Sequence, residues 1–107
     1  MKSKVRRINY LKQNDSAKLV KSLLHNPLDG LQITIISHAD PTFHRISGMV
    51  ERETRAILVI KVTNNEIHVP KITGRYQFLS SGMTIEINGE QLLGLSKARK
   101  KKKLRNW

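Results

Sequence analysis

Few groups in this 107-residue chain could do acid–base or metal chemistry: four histidines (His25, His38, His44 and His68), eight carboxylates and no cysteine. A zinc site needs ligands at short, regular spacing, usually with thiolates among them, and the histidines show no H-x-x-x-H or C-x-x-C arrangement. Glu51 and Glu53 stand two apart on an expected strand and would share a face, but no acid or base partner accompanies them. They read as solvent-facing charges beside Arg52 and Arg55. No glycine-rich phosphate loop precedes a helix. The expectation is a binding module with no catalytic residue, no metal and no cofactor held by this chain.

Charge is the stronger signal. The net charge is +12, and it is segregated. Residues 1–27 hold seven basic side chains and one acid, residues 28–95 hold six against seven, and residues 96–107 (SKARKKKKLRNW) hold seven and none. A near-neutral centre between basic flanks is the footprint of a nucleic-acid binder, with an anionic membrane surface as the lesser reading. The start, MKSKVRRINYLK, has no apolar signal core, and the run Ala56 to Ile60 is far too short to span a bilayer. A soluble, cytoplasmic protein with no membrane partner is expected.

Several elements must position these charges. NDSAKLVKSLLHNP reads as a helix, capped by Asn14, Asp15 or Ser16 and stopped at Pro27. Its stripe of Leu19, Val20, Leu23 and Leu24 opposes Lys18, Lys21 and His25. From Gly30 the period becomes two. Strands are expected in GLQITIIS, HRISGMVERE, AILVIKVT, EIHVPK, GRYQFLS and MTIEIN. Gly48 suggests a bulge or bend, and Asn64-Asn65 a tight hairpin turn. AILVIKVT is apolar on both faces up to Val59, which calls for a cover, and the 16–26 helix is the obvious one. Tyr76 and Phe78 share a strand face, where core packing is favoured over base stacking.

Five to six short strands in about sixty-five residues predict a mainly β fold: a small, strongly bent antiparallel barrel with an N-terminal helix and a basic C-terminal helix or tail. The expected organisation is a flexible basic extension over 1–13, a helix-plus-barrel domain over 14–95, and the basic tail over 96–107.

The central block resembles the protein component 1 family of ribonuclease P, found in archaea and in longer form in eukaryotes. The resemblance covers about residues 25–99. The family's strand ending in Ser, then a loop and G-x-V-x-x-E-T before an apolar strand, is matched by Ser37, Gly48, Val50, Glu53, Thr54 and the strand Ile57 to Val62. Its (V)PK segment and aromatic pair are matched by Val69, Pro70, Lys71, Tyr76 and Phe78, and its last strand and glycine turn by Ile85, Ile87, Gly89 and Leu92. His25, Leu28, Gly30 and Leu31 partly match H-E-L-I-G-L. Ala56 stands where Asn is usual, Tyr76 where Phe is usual, and of R-P-E-D-R only Arg99 remains, which leaves the route of the C-terminal segment open.

This resemblance implies an Sm-like barrel with helices at both ends, in a ribonucleoprotein that removes the 5′ leader from precursor tRNA. The RNA would perform the magnesium-dependent hydrolysis. Implied partners are ribonuclease P RNA, a zinc-ribbon subunit and other ribonuclease P proteins, with precursor tRNA met indirectly. The chain would thus be a non-catalytic subunit of an endoribonuclease holoenzyme. On the charge pattern, Lys2, Lys4, Arg6 and Arg7 would clamp one RNA segment, and Lys97, Arg99, Lys100, Lys101, Lys102, Lys103 and Arg105 another. Lys71 and Arg75 would be barrel-borne contacts between them. Val20 and Leu24 are the candidates for the protein partner, while Trp107 could pack on the protein or stack on a base. The alternatives are a general Sm-like or ribosome-associated binder of structured RNA, a structural subunit whose basic ends only solubilise it, and an unrecognised nuclease, which a lack of cleavage by the pure protein with magnesium would dismiss.

Overall fold

The computed structural model describes residues 13–101; residues 1–12 of the expected extension over 1–13, and the end of the tail, 102–107, lie outside them. The first helix among the described residues, α1, spans Gln13–Leu24. Asn14, Asp15 and Ser16 therefore sit within the helix, not ahead of it as caps. Leu23 and Leu24 of its stripe are buried, and Leu19 and Val20 pack against the same core. The helix ends before Pro27, with the Asn26 side-chain amide donating to the Ser22 carbonyl at 2.6 Å, which satisfies one of the last orphan carbonyls.

Six antiparallel strands follow: β1 (Gln32–His38), β2 (Ser47–Glu53), β3 (Ile57–Val62), β4 (Asn65–Pro70), β5 (Gly74–Ser80) and β6 (Met83–Asn88). They form one sheet in the order β4-β3-β2-β1-β5-β6. Alternation decides which face is buried. Ile33 and Ile35, Leu58 and Ile60, Tyr76 and Phe78, and Ile85 and Ile87 turn inward with Val50, Val69, Leu28 and Leu92. A short helix, α2 (Ser96–Lys101), closes the described chain.

The sheet is rolled. Two strands separate β4 from β1 in the ladder, yet the Pro70 carbonyl at the end of β4 accepts from His38 Nε2 of β1 at 2.9 Å and from the Tyr76 hydroxyl of β5 at 2.8 Å. His38 accepts from the Asp40 N–H at Nδ1, 3.0 Å away, so Nε2 is the nitrogen that donates. Among the described residues β4 and β6 share no ladder. The seam is instead closed by these side chains and by Gly89, whose missing Cβ leaves room for the Lys71 carbonyl.

Two bulges bend the sheet: the register slips between Ile35 and Ser37 against β5, and between Val50 and Arg52 against β3. The second corrects the sequence reading. It falls at Glu51 and not at Gly48, which instead lies so close to the Lys61 carbonyl that a Cβ would collide with it. The β3–β4 turn is Thr63-Asn64, since Val62 pairs with Asn65, and Thr63 carries the positive φ of 55°. The β5–β6 turn is Ser81-Gly82, both with positive φ, as a two-residue hairpin of the right twist requires. Nor does α1 lie over β3 as expected: it lies nearest β6 and α2.

Candidate functional site

The bulge at Glu51 has a chemical consequence. Strict alternation would turn Glu51 and Glu53 to the same face. One extra residue turns Glu53 inward instead, opposite Leu58, while Glu51 and Arg52 stay exposed. The Glu53 side chain is only 4% exposed and receives two buried cations. Lys71 Nζ donates to Oε1 at 2.7 Å. Arg99 grips the carboxylate with both terminal nitrogens, Nη1 to Oε1 at 2.8 Å and Nη2 to Oε2 at 3.1 Å. Oε2 also accepts from the Leu28 N–H at 3.3 Å.

One carboxylate cannot satisfy two buried cations, and backbone carbonyls complete the cage. Arg99 Nε donates to the Leu24 carbonyl at 2.6 Å and Nη2 to that of Asn26 at 3.1 Å. Nη1 also reaches the carbonyls of Leu92 and Gly94, and Lys71 Nζ reaches the Gly94 carbonyl at 3.0 Å. The planar guanidinium, with five donors, thus ties the end of α1, strand β2, and the turn before α2 to one point. Burial works to raise the Glu53 pKa. Hydrogen bonds and charge from Arg99 and Lys71 outweigh it and hold the carboxyl below its ordinary range. Burial also pushes the Tyr76 phenol up, and its hydroxyl donates to the Pro70 and Lys71 carbonyls.

This cage corrects three site expectations. Lys71 and Arg99 have 0 and 1% of their surface exposed, so neither is an RNA contact: no phosphate can reach them in this structure. Leu24, expected to meet a protein partner, is fully in the core, and Val20 is half-buried against it. Glu53 is not a solvent-facing charge but the hub of a buried ion cluster. The resemblance already carried Glu53, Lys71 and Arg99 as matched positions; what it did not carry was that they meet.

The other expected contacts fall into two groups. Lys97, Lys100 and Lys101 are exposed on α2, and among the described residues none forms an ion pair. Arg75 is exposed, but both its Nε and Nη2 donate to Glu86 across the β5–β6 pair. Arg52 is likewise matched with Glu66 at 3.4 Å. Arg55, which the charge pattern did not single out, is exposed and unpaired among the described residues, beside α2. Lys2, Lys4, Arg6, Arg7, Lys102, Lys103, Arg105 and Trp107 lie outside the described residues. Among the described residues, no three His, Asp or Glu side chains gather as a metal site.

The outer face of the sheet is open. Lys61, Met49, Gln32, Leu79 and Thr84 stand in one row across β3, β2, β1, β5 and β6, each opposite the next in register. They line a shallow cleft of about 780 Å³, in which Met49 and Leu79 are exposed apolar groups.

Residues 21–102 match the family described as Ribonuclease P/MRP, subunit p29. The chain is 35% identical to Ribonuclease P protein component 1 of Pyrococcus abyssi, over 81% of this chain and 68% of that one. It is 32% identical to the protein of the same name from Methanococcus vannielii, over 82% of this chain and 94% of that one. A solved structure described as a homologue of human RNase P protein Rpp29 superposes with a TM-score of 0.51 at 35% identity, covering 64% of this chain and 90% of the other. With a sheet of this order, helices at both ends and a match over most of its length, the chain belongs to the Ribonuclease P/MRP subunit p29 family.

Proposed function

We propose that this chain is a non-catalytic, RNA-binding subunit of ribonuclease P that supports the catalytic RNA in removing the 5′ leader from precursor tRNA. One observation carries the reading beyond family membership. The cations at the α2 end, Arg55, Lys97, Lys100 and Lys101, are exposed without an acid partner among the described residues, and they lead directly into Lys102, Lys103 and Arg105. Unpaired cations held at one end of a rigid domain give affinity and position on a phosphate backbone without reading sequence. Folded RNA is recognised mostly through such contacts and its shape.

In this role the chain binds ribonuclease P RNA and meets precursor tRNA only through the particle. Magnesium is held with the RNA and not by this chain. The zinc-ribbon subunit and other ribonuclease P proteins are its protein partners. The half-buried Val20 and the exposed apolar groups of the sheet face are the places to look for that contact. The particle is assigned to the cytoplasm.

The test is binding of the full chain to ribonuclease P RNA and to an unrelated folded RNA of equal length across a salt series. Preference for ribonuclease P RNA, with affinity falling steeply as salt rises, supports the reading. Equal binding of both RNAs would replace it with a general structured-RNA binder. Removing residues 96–107 is not a clean control, because it deletes Arg99 and opens the Glu53 cage; glutamine at Lys97, Lys100 and Lys101 leaves Arg99 in place and removes the charge.

A further inference from the structure

Beside α2 lies a recess of about 310 Å³, lined by Arg55, Leu95, Lys97, Ala98 and Lys101. It holds three cations and no carboxylate. Lys97 and Lys101 are four apart and so share a helix face, whereas Arg99 falls roughly 200° round from Lys97 at 3.6 residues per turn. The same helix therefore turns one cation into the core and two toward Arg55.

Arg55 comes from the β2–β3 turn, far away in sequence, and its position is fixed. The Gly94 N–H donates to the Arg55 carbonyl at 2.8 Å. The turn itself is pinned by Thr54, whose N–H donates to the Ile57 carbonyl at 2.8 Å and whose hydroxyl accepts from the Ile57 N–H at 3.0 Å. Two residues before Arg55, Glu53 is held by Arg99, which stands between Lys97 and Lys101. Each wall of the recess is thus anchored to the other through the buried cage. Three like charges gathered this way repel one another until an anion enters, and Leu95, 44% exposed, offers an apolar surface beside them.

We propose that Arg55, Lys97 and Lys101 form one preassembled phosphate-binding site for the RNA backbone, with Leu95 and Ala98 against the sugar or base, and that buried Arg99 is its positioning residue. This rests on the RNA-binding reading and adds to it Arg55, a residue outside both basic flanks. An RNA backbone is favoured over an acidic protein surface by the further basic residues that follow Lys101 in the sequence and by the ribonuclease P family to which the chain belongs.

The experiment compares R55Q, K97Q, R52Q and the R55Q/K97Q double variant, as full chains, in binding ribonuclease P RNA across a salt series. Arg52 is the control, being exposed three residues earlier on β2 but matched with Glu66. R55Q is expected to lower the salt slope by about one, shrinking the affinity loss between 50 and 200 mM on the order of fourfold. R52Q is expected to leave the slope unchanged. Because the two cations share a phosphate, the double variant should lose less than the sum of the singles. If K97Q weakens binding and R55Q behaves like R52Q, RNA binding stands and the composite site is overturned. If the unaltered chain shows no salt-dependent RNA binding, the functional reading itself fails. If R55Q leaves RNA binding intact but weakens binding of a poly-glutamate peptide, the occupant is an acidic protein surface and the proposal is overturned.

For Arg99 the variant is R99K, which keeps charge but loses the bidentate grip. The chain is checked for folding by circular dichroism at a temperature well below its melting point. Positioning requires that folded R99K lose RNA affinity and that its Lys97–Lys101 amides exchange faster. Unchanged affinity in a folded R99K would overturn that role.

Discussion

Arg99 and its helix neighbours Lys97 and Lys101 carry the same charge within one turn of α2, yet they stand in opposite environments. Arg99 lies in a cage built from one carboxylate and four backbone carbonyls, with Lys71 sharing the same Glu53. Lys97 and Lys101 face solvent beside Arg55, with no acid among the described residues. The first region spends its charge on holding three segments together. The second keeps its charge unneutralised, which an RNA-facing surface needs. Basicity counted along the sequence merges these two jobs; only the fold separates them.

Removing the hub is the most severe way to break this contrast. Glu53→Ala leaves two buried cations without their carboxylate, an arrangement that costs about 3–5 kcal/mol when one partner of a buried pair is lost. A thermal melt should show a fall of many degrees, with loss of protection in α2. A melting temperature within a degree or two of the parent would mean that the cage contributes nothing.

Acid should act on the same group more gently. The folded pKa of Glu53 is depressed, so its contribution is complete above the unfolded value near 4.5 and is lost as pH falls through the lower folded value. Stability measured by denaturant from pH 7 down to pH 3 should therefore decline below about 4.5, beyond what exposed carboxylates cause. Glu53→Gln should flatten that component. A Gln variant with the parent's acid profile would contradict the assignment.

Much of the fold was legible in the sequence because alternation is a local signal. Ile33 and Ile35, Tyr76 and Phe78, and Ile85 and Ile87 all face the core as their spacing requires. The cage was not legible. Glu53 reads as an outward charge until a one-residue bulge at Glu51 reverses it, and no pattern in GMVERET announces that bulge. Lysine and arginine are rarely buried, so Lys71 and Arg99 defaulted to the surface. Their partner lies 18 and 46 residues away, beyond any window of periodicity. The Thr63-Asn64 turn escaped for a similar reason: pairing of Ile60 with Ile67 and Leu58 with Val69 sets its place, not the turn propensity of Asn65.

The smallest effects belong to the exposed pairs on the sheet. Arg75→Gln releases Glu86 from a pair about half exposed on both sides, worth about 0–1 kcal/mol and weakened further by salt. Its melting curve should nearly overlay the parent's, whereas a loss as large as that of Glu53→Ala would erase the distinction between buried and exposed cations.

The most direct measurement is the salt dependence of ribonuclease P RNA binding by a chain carrying glutamine at Lys97, Lys100 and Lys101, set against the parent and against its own melting curve. The expected result is a slope smaller by about one for each lysine that contacts phosphate, with stability changed by no more than about 0.5 kcal/mol. An unchanged slope in a folded protein would show that the exposed face of α2 does not touch RNA, and the division of labour between Arg99 and its neighbours would fall with it.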